Sequence, residues 1–140
     1  MRVRVLVFEG DAGIRDLVVE TLNEEGIPAV GRPGAAAEGD DVALRLTPDA
    51  CDLVVVDLGG TDGGGLAMAQ RLVYGGMPPE DISLIASAWP TIAYHTARIL
   101  GLQTFQKPFP MSDLIDWVRS RREVGREKGL VVLDGLADLP

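Results

Sequence analysis

Apolar positions in this chain follow two alternating rhythms. Short continuous runs read as buried strands, and stripes spaced three and four apart read as helices. The clearest run is Leu53-Val54-Val55-Val56, with three β-branched residues, closed by Asp57-Leu58 and a stretch with five glycines in seven residues from Gly59 to Gly65. Such a run fits a strand covered on both faces of a parallel sheet. Val3, Val5, Leu6, Val7 and Phe8 form an earlier strand, Ile82–Ala86 a later one, and about Leu102–Gln106 a short last one. Ile27–Gly31 is a weaker strand whose Pro28 suits an edge.

Helical stripes separate these runs. Ile14, Leu17, Val18, Thr21 and Leu22 mark a helix from about Gly13 to Glu25, with Asp11 as its N-cap and Gly26 as its left-handed stop. The segment Ala35–Leu46 reads as a poor helix, interrupted at Gly39-Asp40-Asp41. Leu66, Ala69, Gln70 and Val73 mark a third, closed by Gly75-Gly76. A fourth starts at Pro90 as its first helical position and buries Ile92, Ala93, Thr96, Ala97, Ile99 and Leu100, with Gly101 ending it. The last, Ser112 to about Arg122, buries Leu114, Trp117 and Val118. Five strands alternating with five helices predict a doubly wound α/β domain over residues 1–123: a five-stranded parallel sheet with helices on both faces. Residues 124–140 form a tail, and its Gly129–Leu133 reads equally as a further strand, a docking segment or a mobile end.

Composition narrows the class. The 140 residues suit one domain with a real core, and 46% apolar content is that of a soluble globular protein. No apolar run has membrane-spanning length, and Met1-Arg2-Val3-Arg4 does not open a secretory signal, so a cytoplasmic location is expected. A lone Cys51 gives no disulfide framework, and with His95 as the single histidine a zinc site lacks ligands. The net charge of −8 lies in the body: residues 1–118 carry 8 Lys/Arg against 17 Asp/Glu. Such a body repels phosphate backbones and favours a divalent cation or a basic protein partner.

In a parallel sheet, chemistry gathers beyond the carboxyl ends of the strands. Those ends offer Glu9 and Asp11, then Asp57, then Ser87, then Lys107 before Pro108. Each residue alone is ordinary: Asp11 suits a cap, Ser87 suits close helix packing, and Lys107 suits a surface. Together, three carboxylates suit a hard cation such as magnesium, and Asp57 could attack phosphorus to form an aspartyl phosphate. A hydroxyl and an ammonium would then hold the phosphoryl oxygens. Other phosphate-binding readings fail on residues. Gly60 to Gly65 has P-loop spacing, but Leu66 stands where lysine is needed, and no G-x-G-x-x-G follows the first strand.

The acidic turn after strand one, Asp57-Leu58, Ser87-Ala88 and Lys107-Pro108-Phe109, in this order and spacing, resemble a response-regulator receiver domain of two-component signalling, a flavodoxin-like fold, over roughly residues 2–123. The resemblance implies Asp57 as phosphoacceptor, Ser87 as the switch hydroxyl, Lys107 as the lysine that pairs with the phosphoryl group, and a cis Lys107-Pro108 bond. It implies Mg2+ held by Glu9, Asp11, Asp57 and the Gly59 carbonyl. Its partners would be a histidine kinase or phosphotransfer protein and a downstream protein target reached through the fourth and fifth helices and fifth strand. Neither nucleic acid nor membrane is expected as a direct partner, the chain would not be an enzyme, and a homodimer through the tail stays open.

Three departures stand out. Gly10 replaces the usual second acid, Thr61 the usual proline, and the switch aromatic falls on Thr104 unless a one-residue deletion puts Phe105 there. They bear on metal affinity and switching rather than on the fold. The alternative they favour is a pseudo-receiver, a protein-binding module read in one state. A flavodoxin-like enzyme or cofactor carrier would need a ligand that these residues do not announce.

Overall fold

A computed structural model of the chain describes residues 4–34, 52–59 and 64–121. The expected helix over 35–46, Cys51, Thr61 and the tail beyond 123 lie outside those residues. Strands β1 (Val5–Phe8), β2 (Ala29–Arg32), β3 (Leu53–Asp57), β4 (Ile82–Ala86) and β5 (Gln103–Gln106) alternate with helices. The helices are α1 (Ala12–Glu24), α2 (Gly64–Tyr74), α3 (Thr91–Leu100) and α4 over 111–121. The described residues fall in two compact units, divided between Phe109 and Pro110.

The first unit holds one five-stranded sheet of order β2-β1-β3-β4-β5, every pair parallel. The most apolar strands, β3 and β4, sit inside, and β2, just after Pro28, is an edge as expected. Strand residues alternate between faces. Val54, Val56, Leu84 and Phe8 join Met68, Ala69 and Leu72 of α2 and Ala93 and Ala97 of α3 in one core. Val5, Val7 and Val55 are buried on the other side, and Val18 and Leu22 of α1 are buried outside that core. Helices therefore cover both faces of the sheet.

Helix ends follow their sequence signals. Asp11 caps α1, its Oδ1 accepting from the Ile14 N–H at 2.9 Å. Gly26, at φ 79°, ends α1, and the Ile27 N–H reaches back to the Leu22 carbonyl at 2.9 Å. Gly101, at φ 84°, ends α3. Pro90 is the N-cap of α3 rather than its first helical residue.

Two stripes differ from expectation. On α1, Ile14 and Leu17 are exposed, and Arg15 is partly buried in their place. The reason lies on β2: Gly31 has no side chain, so the Arg15 stem can lie there, within 3.0 Å of where a Cβ would be. On α3, Ile92 and Ile99 are 80% and 85% exposed, and only Ala93 and Ala97 are buried. The small side of α3 faces the sheet, and its large side faces out. In the second unit, α4 buries Leu114, Trp117 and Val118 as expected, with Ile115 besides. Among the described residues no helix is long and apolar enough to cross a membrane.

Burial magnitudes separate two similar substitutions. Leu84→Ala in the core should lower the unfolding free energy by about 2–5 kcal/mol, whereas Ile99→Ala should change it by less than about 0.5 kcal/mol. Urea unfolding of both variants checks this contrast.

Candidate functional site

Strand register builds the site. Phe8 pairs with Val56, so Glu9 and Asp57 leave β1 and β3 side by side at one level. Asp57 pairs with Ile85, and Ile85 with Phe105. Counting two onward from Ile85 and Phe105 puts Ser87 and Lys107 on the same side of the sheet as Asp57. Parallel bonds extend past the strands: the Leu58 N–H donates to the Ile85 carbonyl and the Lys107 N–H to the Ala86 carbonyl, both at 2.8 Å.

Lys107 is the centre. Its ammonium lies 2.8 Å from Glu9 Oε2 and 3.0 Å from Asp57 Oδ1. Glu9 is almost fully buried, and Asp57 and Lys107 are partly buried. Burial alone would pull the ammonium down, but its hydrogen bonds to Glu9 and Asp57 and their charges outweigh that and raise its pKa above the ordinary lysine value. The Lys107-Pro108 bond is cis, as the resemblance implies.

A cavity of about 450 Å³ opens beside this ion cluster, lined by Asp57, Leu58, Gly59, Ala86, Ser87, Ala88, Trp89, Pro90 and Lys107. Ser87 is exposed at its rim. Trp89 stands edge-on to Tyr94 of α3, with ring centroids 5.8 Å apart, so one wall is tied to that helix.

The structure thus brings Glu9, Asp57 and Lys107 into contact and places Ser87 and Gly59 on the same cavity. One oxygen of the Asp11 carboxylate, Oδ1, serves the α1 cap. Glu9 Oε1 accepts from the Asp11 N–H at 3.1 Å, while its buried Oε2 forms the ion pair with Lys107 and has no hydrogen-bond partner besides. Gly10 adds no side chain. Among the described residues no group of three or more His, Cys, Asp or Glu could hold a metal ion. Receiver domains generally bind Mg2+, but these side chains as they stand do not form the four-residue set expected from the sequence.

Register puts the two candidates on β5 on opposite faces of the sheet. Thr104 pairs with Leu84 and so shares the face of α2 and α3, while Phe105 pairs with Ile85 on the opposite face and stacks on Phe109 at 5.4 Å.

Three supporting residues escaped the sequence reading. Gln106 donates through Nε2 to the Ser87 carbonyl at 2.6 Å and steadies the rim. Gly65 lets α2 start against the end of β3, since a Cβ there would meet the Asp57 carbonyl carbon and Leu58 Cα at 2.8 Å. Arg15 donates through Nη1 to the Glu9 carbonyl at 3.0 Å. Each depends on a contact across elements, which local pattern does not encode; only the glycine-rich stretch hinted at close approach.

A raised ammonium pKa stabilises the fold below the ordinary lysine value and loses that contribution as pH rises through the folded value. Lys107→Met should therefore destabilise at neutral pH by about 3 kcal/mol, since it leaves buried Glu9 unpaired. The gap from wild type should shrink above about pH 10.4. Chemical denaturation of both chains across pH 7 to 11 reads this out.

No model of a known protein family matches the chain. It is 30% identical over 133 residues to the transcriptional regulatory protein PdtaR of Mycobacterium tuberculosis, spanning 94% of this chain and 62% of that protein, less than two thirds of its length. Among solved structures it is similar to a response regulator receiver protein from Pseudomonas putida, at TM-score 0.72 and 23% identity, covering 86% of this chain and 98% of that one. It is also similar to the signal receiver domain of a Luxo repressor protein from Vibrio parahaemolyticus, at TM-score 0.76 and 16% identity, covering 94% and 98%. A five-stranded parallel sheet in this order, clad on both faces and likened over most of its length to such modules, gives this chain the fold of a response-regulator receiver domain.

Proposed function

We propose that this chain accepts a phosphoryl group on Asp57 and passes the signal on by protein contact. The observation that carries the reading is the Lys107 ammonium 3.0 Å from Asp57 Oδ1 beside an open cavity. In the proposed reaction a carboxylate oxygen of Asp57 attacks phosphorus, the bond from phosphorus to the donor's leaving group breaks, and an acyl phosphate forms. Lys107 offsets charge on the phosphoryl oxygens, and the Ser87 hydroxyl donates to one of them. A histidine kinase or phosphotransfer protein would be the donor. Onward contact is supported by α3, whose Ile92 and Ile99 stand exposed seven residues apart on one side.

A second reading is a pseudo-receiver, a binding module that uses the fold without phosphorylation. It is favoured by three features of the same geometry: Asp11 Oδ1 on the α1 cap, Glu9 ion-paired with Lys107, and glycine at position 10. In either reading the chain is a signalling module and not an enzyme with turnover on a separate substrate.

Incubation with a small acyl phosphate, followed by intact mass, separates the two. The expected result is a gain of one phosphoryl group, absent in Asp57→Asn and reduced in Ser87→Ala. No gain in the wild-type chain, with Mg2+ supplied, would leave the pseudo-receiver reading.

A further inference from the structure

We propose that Gln106 is a positioning residue for Ser87: its carboxamide clamps the turn after β4 to the turn after β5, and so sets where the Ser87 hydroxyl stands at the cavity. The inference rests on the receiver reading of Asp57 and Ser87.

The sheet by itself holds Lys107 better than it holds Ser87. Register pairs Ala86 with Gln106, the last residues of β4 and β5. One further ladder bond, from the Lys107 N–H to the Ala86 carbonyl at 2.8 Å, secures Lys107. Its ammonium is held again by Glu9 and Asp57. On the other side of this pairing, the residues from Ser87 to Pro90 belong to no helix or strand, and Ser87 and Ala88 are both exposed.

Gln106 reaches across to that turn. A carboxamide nitrogen carries two hydrogens. Nε2 lies 2.6 Å from the Ser87 carbonyl and 3.1 Å from the Lys107 carbonyl. One nitrogen thus bridges the two residues that would hold the phosphoryl oxygens. Alternation along β5 turns Gln106 to the opposite side of the strand from Lys107, and Gln106 is not among the residues that line the cavity. It therefore acts through the backbone of its neighbours rather than on a phosphoryl group. Lys107 has its ladder bond and its acids besides, so the clamp matters most at Ser87. A hydroxyl assists only where it is held in reach of the charge it meets, and a misplacement of about 1 Å costs rate. Because Gln106 is exposed, its loss should hardly move the unfolding midpoint. Positioning and stability are separable here.

The test has three arms on the full chain. Nitrogen-15 NMR should show the Gln106 side-chain amide displaced from that of solvated glutamine; a solvated signature overturns the proposal. Gln106→Met keeps the length of the side chain and removes both donors. Its rate of phosphoryl gain from a small acyl phosphate, followed by intact mass, should fall about fivefold, the worth of one net hydrogen bond. The same substitution in a Ser87→Ala chain should cause no further loss. Equal rates for wild type and Gln106→Met overturn the proposal. So does a fivefold loss that persists in Ser87→Ala, because Gln106 would then act by another route. If wild type gains no phosphoryl group, the acceptor reading falls by itself, and amide hydrogen exchange decides the clamp. Exchange at Ala88 and Trp89 should then quicken in Gln106→Met, and unchanged exchange there would contradict a turn held by this residue.

Discussion

One ammonium shared by two carboxylates organises the functional end of this molecule. Lys107 lies within 3.0 Å of both Glu9 and Asp57, and each acid depends on it in a different way. For Glu9, almost fully buried, the lysine is the counter-charge that makes burial tolerable. For Asp57, on the cavity wall, it is the group that would meet incoming negative charge. In the proposed reading the same contact would serve stability on one side and chemistry on the other, and replacing the lysine would disturb both.

The sheet makes this contact by counting. Parallel register sets Glu9 beside Asp57, and the two-residue alternation of strands turns both, with Lys107, to one side. The alternate residues, Phe8, Val56, Leu84 and Thr104, face α2 and α3 and anchor the strands that carry the charges. A slip of one residue in β5 would put Gln106 where Lys107 belongs. Hydrophobic patterning therefore fixes the geometry of the polar site, and the polar residues need only occupy the right ends.

Much of this was legible beforehand, for identifiable reasons. β3 and β4 are continuous apolar runs whose partners are also apolar, so local sequence and tertiary setting agree. Asp11, Gly26 and Gly101 are local end signals, and they hold where expected. Asp57, Ser87 and Lys107 could be placed at strand ends by spacing alone. What spacing could not give was where each side chain is spent. Asp11 reads as a carboxylate near the site, yet its oxygen caps α1. Glu9 reads as a metal ligand, yet it is engaged by lysine. The exposed Ile92 and Ile99 misled for the converse reason, because an apolar stripe on a helix does not say which of its sides the sheet receives. Which face Thr104 and Phe105 each take needed the register of β5 against β4, a fact about pairing that one strand does not contain.

The most direct measurement is the Lys107 ammonium itself, by nitrogen-15 NMR of the lysine side chain at neutral pH. An ammonium clamped between two carboxylates should give a slowly exchanging signal, distinct from solvated lysine and shifted by both Glu9→Gln and Asp57→Asn. A Lys107 signal that matches a freely solvated lysine, or ignores either substitution, would contradict the shared contact on which this account stands.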